Sequence, residues 1–210
     1  MEFSVANKPV KTPTRALNTG SFFKDTKIAS ELASINELYF SFDETSLKAI
    51  NENPAASKTK NKTAHKSTVQ SDFKPTLCIL QFKNQDAAAR YPSESEIDIL
   101  TNTAYSFSDI TPIPSIPKIA RGLDTDNFDA FIAYLDKSTE TINIRNKKPI
   151  IGYIPATAPL FIRRIVNFYL DRGINAYYID FDGTMISNHA TALNALKIEL
   201  KKRGYEENNF

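Results

Sequence analysis

Pro149-Ile150-Ile151-Gly152-Tyr153-Ile154 and Ala176-Tyr177-Tyr178-Ile179-Asp180-Phe181 are the two apolar runs that decide the fold, together with what lies between them. Short runs of β-branched and aromatic residues read as strands. Between them Pro159 suits the first turn of a helix, where its missing N–H is not needed. Ile162, Ile165, Val166 and Tyr169 then recur at helical spacing and make a buried face, with Arg163, Arg164, Asn167 and Asp171 on the other side. Gly173 stands where a left-handed C-cap is wanted. Strand, helix and strand in this order imply parallel strands joined by a right-handed crossover.

Working outward, the alternation repeats. Thr76-Leu77-Cys78-Ile79-Leu80-Gln81-Phe82 is a nearly continuous apolar strand, as in a sheet covered on both faces. Ser93 with Glu96 three residues on is a capping box, and Ile97, Leu100 and Ala104 form the stripe of the helix it opens. Asp109-Ile110-Thr111-Pro112-Ile113 is a short strand, and Phe128, Phe131, Ile132 and Leu135 mark a helix over 127–141. After Phe181, Ser187 or Asn188 caps a last helix carrying Leu193, Leu196 and Leu200 and stopping at Gly204. Residues 75–204 thus read as consecutive β-α units.

Upstream the pattern is looser. Residues 1–20 read as a short β segment, 25–35 as a helix on Ile28, Leu32 and Ile35, and Leu38-Tyr39-Phe40-Ser41-Phe42 as a strand. Residues 51–72 carry no apolar period and hold Lys58, Lys60, Lys62 and Lys66 among Thr, Ser and Asn. They read as a flexible Lys/Thr/Ser-rich insertion. Without interleaved aromatics, a solvated loop is favoured over a phosphate-seeking one. Asn61-Lys62-Thr63 fits the glycosylation triplet and, with no secretion signal, is read as chance.

The expected fold is α/β: a single domain over 1–210, a partial or truncated (β/α) barrel of parallel strands with a short β segment at its N-terminus. An open doubly wound sheet satisfies the same alternation. No Gly-rich phosphate loop follows any strand, which disfavours its nucleotide-binding versions. A full barrel needs about 250 residues. This chain has 210, and no strand follows its last helix.

Composition sets the outer bounds. Hydrophobic residues are 41% and charged residues 24%, which excludes a wholly disordered or collagen-like chain. Lys and Arg number 26 against 24 Asp and Glu, a net charge of +2, so no global basic field announces nucleic acid. The lone Cys78 excludes an internal disulfide framework, and with only His65 and His189 beside it no metal site and no cofactor are expected. No 18-residue apolar stretch and no signal peptide are read. A cytoplasmic, non-membrane setting is the expectation.

Barrel chemistry sits at the C-terminal strand ends. The candidates there are Gln81, Lys83, Thr111, Tyr153, Asp180 and Asp182. Asp180 and Asp182 are the expected catalytic pair, since strand-end carboxylates serve as acid, base or ligand partner. Their alternative reading is as turn formers. Gln81, Tyr153 and Gly183 are the expected substrate-binding positions. Arg163 and Arg164 read as a solvated face, His189 as a surface residue, and Cys78 as a buried thiol.

Asp180-Phe181-Asp182-Gly183-Thr184 resembles the D-x-D-G-T motif of the haloacid-dehalogenase phosphohydrolases. That resemblance implies an aspartate nucleophile, an aspartate acid/base and Mg²⁺, with further groups on later strands. Only one helix and a tail follow in this chain, so this is held as an alternative.

A second resemblance covers more of the chain. Val10-Lys11-Thr12-Pro13 is similar to the V-E-T-P of the tRNA-guanine transglycosylase family. Glu31 to Phe40, Tyr91-Pro92-Ser93-Glu94-Ser95, Ser108-Asp109-Ile110, Pro149 to Tyr153 and Gly173 to Tyr177 resemble its successive elements. The family's D-S-G-G falls at Gln81 to Gln85, its Q-G-G at Ile154-Pro155-Ala156, and its base-binding turn at Asp180 to Gly183. Its aspartate nucleophile and zinc site would lie beyond Phe210. The resemblance implies a tRNA-ribosyltransferase-like domain that handles a nucleobase or tRNA without complete base-exchange chemistry of its own. The competing expectation is a non-catalytic partial barrel. It would act through a homo-oligomer or protein partner, because open sheet edges invite association.

Overall fold

The structure, a computed structural model, describes residues 2–5, 7–11, 15–18, 33–57, 75–85, 89–145, 147–181 and 185–202. Strands β1 (Glu2–Val5) and β2 (Lys8–Lys11) form an antiparallel pair, with Asn7 at φ 63 in its turn. Asparagine tolerates that left-handed conformation because its short polar side chain bonds locally.

The remaining strands pair in parallel. β3 (Arg15–Asn18), β4 (Ala33–Asp43) and β5 (Thr76–Lys83) form one three-stranded sheet, with β4 and β5 in register from Asn36 opposite Thr76 to Asp43 opposite Lys83. β6 (Thr111–Pro112), β7 (Ile150–Pro155) and β8 (Tyr177–Asp180) form the second. The two sheets meet between β5 and β6. There Asp109 N donates to Thr76 O, Ser115 N to Leu80 O and Phe82 N to Ser115 O, each at 2.8 Å. Neighbouring strands therefore follow chain order from β3 to β8. The described strands make no closed barrel.

Helices cover these strands: α1 (Glu44–Glu52), α2 (Glu94–Phe107), α3 (Pro117–Arg121), α4 (Phe128–Asn143), α5 (Pro159–Leu170) and α6 (Ala190–Lys202). Most positions of the expected helical faces are buried, while Ile132 of α4 and Leu193 and Leu196 of α6 are half-buried. Ile97, Leu100 and Ala104 of α2, Phe128, Phe131 and Leu135 of α4, and Ile162, Ile165, Val166 and Tyr169 of α5 all enter one core with Leu80, Phe82 and Tyr153. Ser93 and Glu96 form both bonds of their capping box, and Gly173 takes φ 72 after α5. Arg90 pins the start of α2 to its neighbours. It donates to both Glu96 oxygens at 2.7 and 2.8 Å, approaches Glu44 at 3.4 Å and lies 5.3 Å over the Phe82 ring.

Several boundaries differ from expectation. Ala33, Ser34 and Ile35 belong to β4 and do not end a helix; residues 25–32 of that expected helix lie outside the described ones. Pairing with β3, Arg15 opposite Ala33 and Ala16 opposite Ile35, outweighs three apolar positions at helical spacing. Residues 51–52 close α1 and Pro54–Ser57 make a 3₁₀ turn, so the first part of the expected 51–72 insertion is ordered helix and turn; 58–72 lie outside the described residues. The sequence reading assigned no element between β6 and the helix expected at 127–141. Ser115 bridges to Gln81 as an isolated parallel partner, and Pro117 opens α3.

Candidate functional site

Parallel strands in chain order bring their C-terminal ends together. Gln81 and Lys83 end β5, Tyr153 and Pro155 end β7, and Asp180 ends β8 opposite Pro155. Helix α3 lies against these ends because three tyrosine hydroxyls hold the segment before it. Tyr134 of α4 donates to Pro114 O at 2.7 Å, Tyr178 of β8 donates to Ile113 O at 2.5 Å, and the Tyr153 hydroxyl takes a backbone hydrogen bond from Ile116. Pro117 at the first helical turn then fixes where Lys118 and Arg121 fall, three residues apart on one face.

Two hollows open here and share Pro117, Arg121 and Asp180. The smaller, about 220 Å³, is lined also by Tyr153, Pro155, Ala156, Phe181 and His189. The larger, about 730 Å³, is reached by Gln81, Lys83, Asn84 and Lys118, with Tyr39 at 43% exposure in its wall. Phe181 and His189 pack ring on ring, their centroids 5.2 Å apart.

The electrostatics assign roles. Burial, reinforced by the nearby Asp180 carboxylate, pushes the Tyr153 hydroxyl well above the ordinary phenol range; Tyr178 is raised by burial first, then by Tyr153 and further neighbours including Asp180. Both stay neutral phenols and serve as hydrogen-bonding groups, not bases. Asp180 is half-buried and brings a carboxylate, able to accept hydrogen bonds or exchange a proton, to the partition between the hollows.

The expected residues separate clearly. Gln81, Lys83, Tyr153 and Asp180 come together at the hollows. Thr111 does not: it is fully buried at the start of β6 and lines neither hollow. Asp182 and Gly183 lie outside the described residues. Arg163 and Arg164 are exposed, Arg164 pairing with Asp129 at 2.9 Å. Cys78 is fully buried in β5, and burial pushes its thiol up to about 12. His189, read from sequence as a surface residue, is half-buried in the wall of the smaller hollow. Tyr39, Lys118 and Arg121 escaped the sequence reading. The signal for the two cations was a proline followed by basic residues three apart, immediately after a strand.

Among the described residues no three His, Cys, Asp or Glu side chains gather as a cation site, and no helix is long and apolar enough to cross a membrane. No protein-family profile matches the chain, and no curated protein matches it significantly.

Proposed function

We propose that β3 to β8 are a section of a (β/α) barrel and that the hollow at their C-terminal ends binds a nucleobase, the class of ligand the transglycosylase resemblance implies. The observation that carries this reading is the meeting of Asp180 and Tyr153 with the Phe181–His189 ring pair in the smaller hollow, with Gln81 in the adjoining larger one that Asp180 also lines. A base needs an aromatic or apolar slot for its faces and a few polar groups for its edge. Phe181 and Tyr153 supply the slot, Asp180 accepts from a ring or exocyclic N–H, and the Gln81 amide, in the adjoining hollow, offers a donor and an acceptor to whatever extends past Asp180. Base exchange needs a nucleophile toward the sugar as well. In this reading the chain recognises a base, or a tRNA that presents one, and is not by itself the complete exchange machinery.

Calorimetric titration with adenine, guanine, cytosine and uracil tests this. We expect saturable heat with at least one base, weakened tenfold or more in Asp180→Asn. No heat with any base, together with no retention of tRNA on filters at low salt, removes the reading. tRNA retained through phosphate contacts must be released as salt rises.

A second reading rests on Leu160, 58% exposed, and Met185, 75% exposed, which flank the same end of the fold after β7 and β8. Such apolar groups suit a protein contact. Light scattering that shows a dimer, dissociated by Met185→Lys, would favour it; a monomer at all concentrations counts against it.

A further inference from the structure

We infer that the two hollows are one bipartite site for a phosphorylated nucleoside, the base in the smaller hollow and the phosphate in the larger. This rests on the nucleobase reading and extends it to the rest of the ligand. Three observations carry it.

The first is size and lining. At about 220 Å³ the smaller hollow is below the roughly 300–1,000 Å³ of ordinary ligand clefts, so it takes one ring system and no more. Tyr153, Pro155, Ala156 and Phe181 give it an apolar lining. The ligand must continue elsewhere. The larger hollow shares Pro117, Arg121 and Asp180 with it and is the continuation.

The second is charge. Among the described residues that line it, the larger hollow gathers Lys83, Lys118 and Arg121 against one carboxylate, that of Asp180. That local excess occurs in a chain whose net charge is only +2. Clustered cations in a concave wall focus potential and attract an anion.

The third is unmet hydrogen-bonding capacity. Lys83 is exposed at the end of β5 and forms no ion pair among the described residues. Asn84, whose Oδ1 accepts from Arg90 N at 2.8 Å, holds its Nδ2 buried with no acceptor among the described residues. A buried donor without an acceptor costs stability. Both groups offer only donors at that point, and phosphate oxygens are acceptors only. Asp180 repels a phosphate placed beside it, so the phosphate lies toward Lys83 and Asn84. Asp180 is left to the base or the ribose hydroxyls.

The phosphate can belong to a free mononucleotide or to a unit of an RNA strand, and the titration has arms for both. The probes are the four ribonucleosides, their 5′-monophosphates and a short single-stranded RNA of mixed sequence, each measured at low and moderate salt. We expect one monophosphate to bind at least tenfold tighter than its nucleoside, an advantage that shrinks as salt rises. Lys83→Ala and Asn84→Asp should bring that ratio down toward one. Asn84→Asp keeps the shape of the side chain and its bond to Arg90, so its effect reports charge. Tight mononucleotide binding assigns a free nucleotide; RNA binding sensitive to both substitutions, with weak mononucleotides, assigns a strand. Nucleoside and monophosphate binding equally well in the native protein overturns the phosphate site and leaves the nucleobase reading standing. Binding of none of the probes removes both.

Discussion

Replacing Tyr169 by Phe removes a single oxygen, yet it should be among the costlier conservative changes in the chain. β6 stops at Pro112, and Ser115 N, the next donor in line for β7, bonds Leu80 O on the β5 side instead, at 2.8 Å. Gly152 N donates toward β8, to Ala176 O at 2.8 Å, so Tyr153, the next residue, turns its own N–H and C=O toward the β6 side. No strand meets them there, and Ile113 O is already taken by the Tyr178 hydroxyl. The Tyr169 hydroxyl fills the gap: it accepts from Tyr153 N and donates to Tyr153 O, both at 2.9 Å. Both tyrosines are fully buried. Tyr169→Phe keeps the ring and leaves two backbone groups without partners. At about 1–3 kcal/mol for each buried orphan, the cost is roughly 2–6 kcal/mol. That corresponds to at least about 4 °C in Tm for a chain of this size. Urea denaturation at constant m-value reads it. The control is Tyr177→Phe, whose half-buried hydroxyl donates to Ile174 O at 2.9 Å and should cost only about 1 kcal/mol. The Tyr169 ring also occupies the space a Cβ on Gly152 would need, 2.8 Å away. Gly152→Ala should therefore displace the ring and break the same bridge. The double variant should then be less destabilised than the sum of the two singles. Tyr169→Phe no worse than Tyr177→Phe, or strict additivity with Gly152→Ala, would refute the bridge.

Three further outcomes follow from the same geometry. Cys78, buried in β5 with its thiol pushed up to about 12, should react with a disulfide reagent in mildly alkaline buffer only as fast as the protein unfolds; fast stoichiometric labelling of the native chain would show the strand is open. The side-chain hydrogen bonds from Arg90 hold the Glu96 carboxyl below its ordinary range, despite an opposing push from burial. Its contribution is thus present above the unfolded carboxylate value of about 4.3 and is lost as pH falls through the lower folded value. Glu96→Gln should flatten the acid limb of a stability–pH curve while lowering the plateau near neutral pH; an unchanged acid limb speaks against the pairing. Ser93→Ala should cost about 0.5–2 kcal/mol by urea denaturation and Ser93→Gly only a few tenths, because Ser93 caps α2 with its side chain.

The α/β class and the parallel strands were legible because they are written in local periods. Three-four spacing put Ile162, Ile165, Val166 and Tyr169 on one face, and burial confirms it. Single-residue chemistry was legible too, in the Ser93–Glu96 capping box and the positive φ of Gly173. What escaped was set by distant partners. Helix α3 follows Pro114-Ser115-Ile116 and opens on Pro117, a composition that reads as loop. It is held by hydroxyls from α4, β7 and β8 that no local pattern reveals. Strand β4 was read short because its length comes from pairing with β3 on one side and β5 on the other. For the site, the strand-end rule picked out Gln81, Lys83, Tyr153 and Asp180, and it also admitted Thr111, which lies at the opposite end of a strand only two residues long.

The buried tyrosines connect the fold to its candidate site. The sheet needs Tyr169 because β6 is short, and α3 sits where it does because Tyr134, Tyr153 and Tyr178 bind the segment that a longer β6 would have used. Desolvation raises all four hydroxyls above the ordinary phenol range, so these ties keep their protons across physiological pH. Lys118 and Arg121 are thereby carried on a support that does not titrate, beside the hollows that Asp180 lines. A truncated strand, usually a weakness in a parallel sheet, is here what leaves room for a short cationic helix at the strand ends.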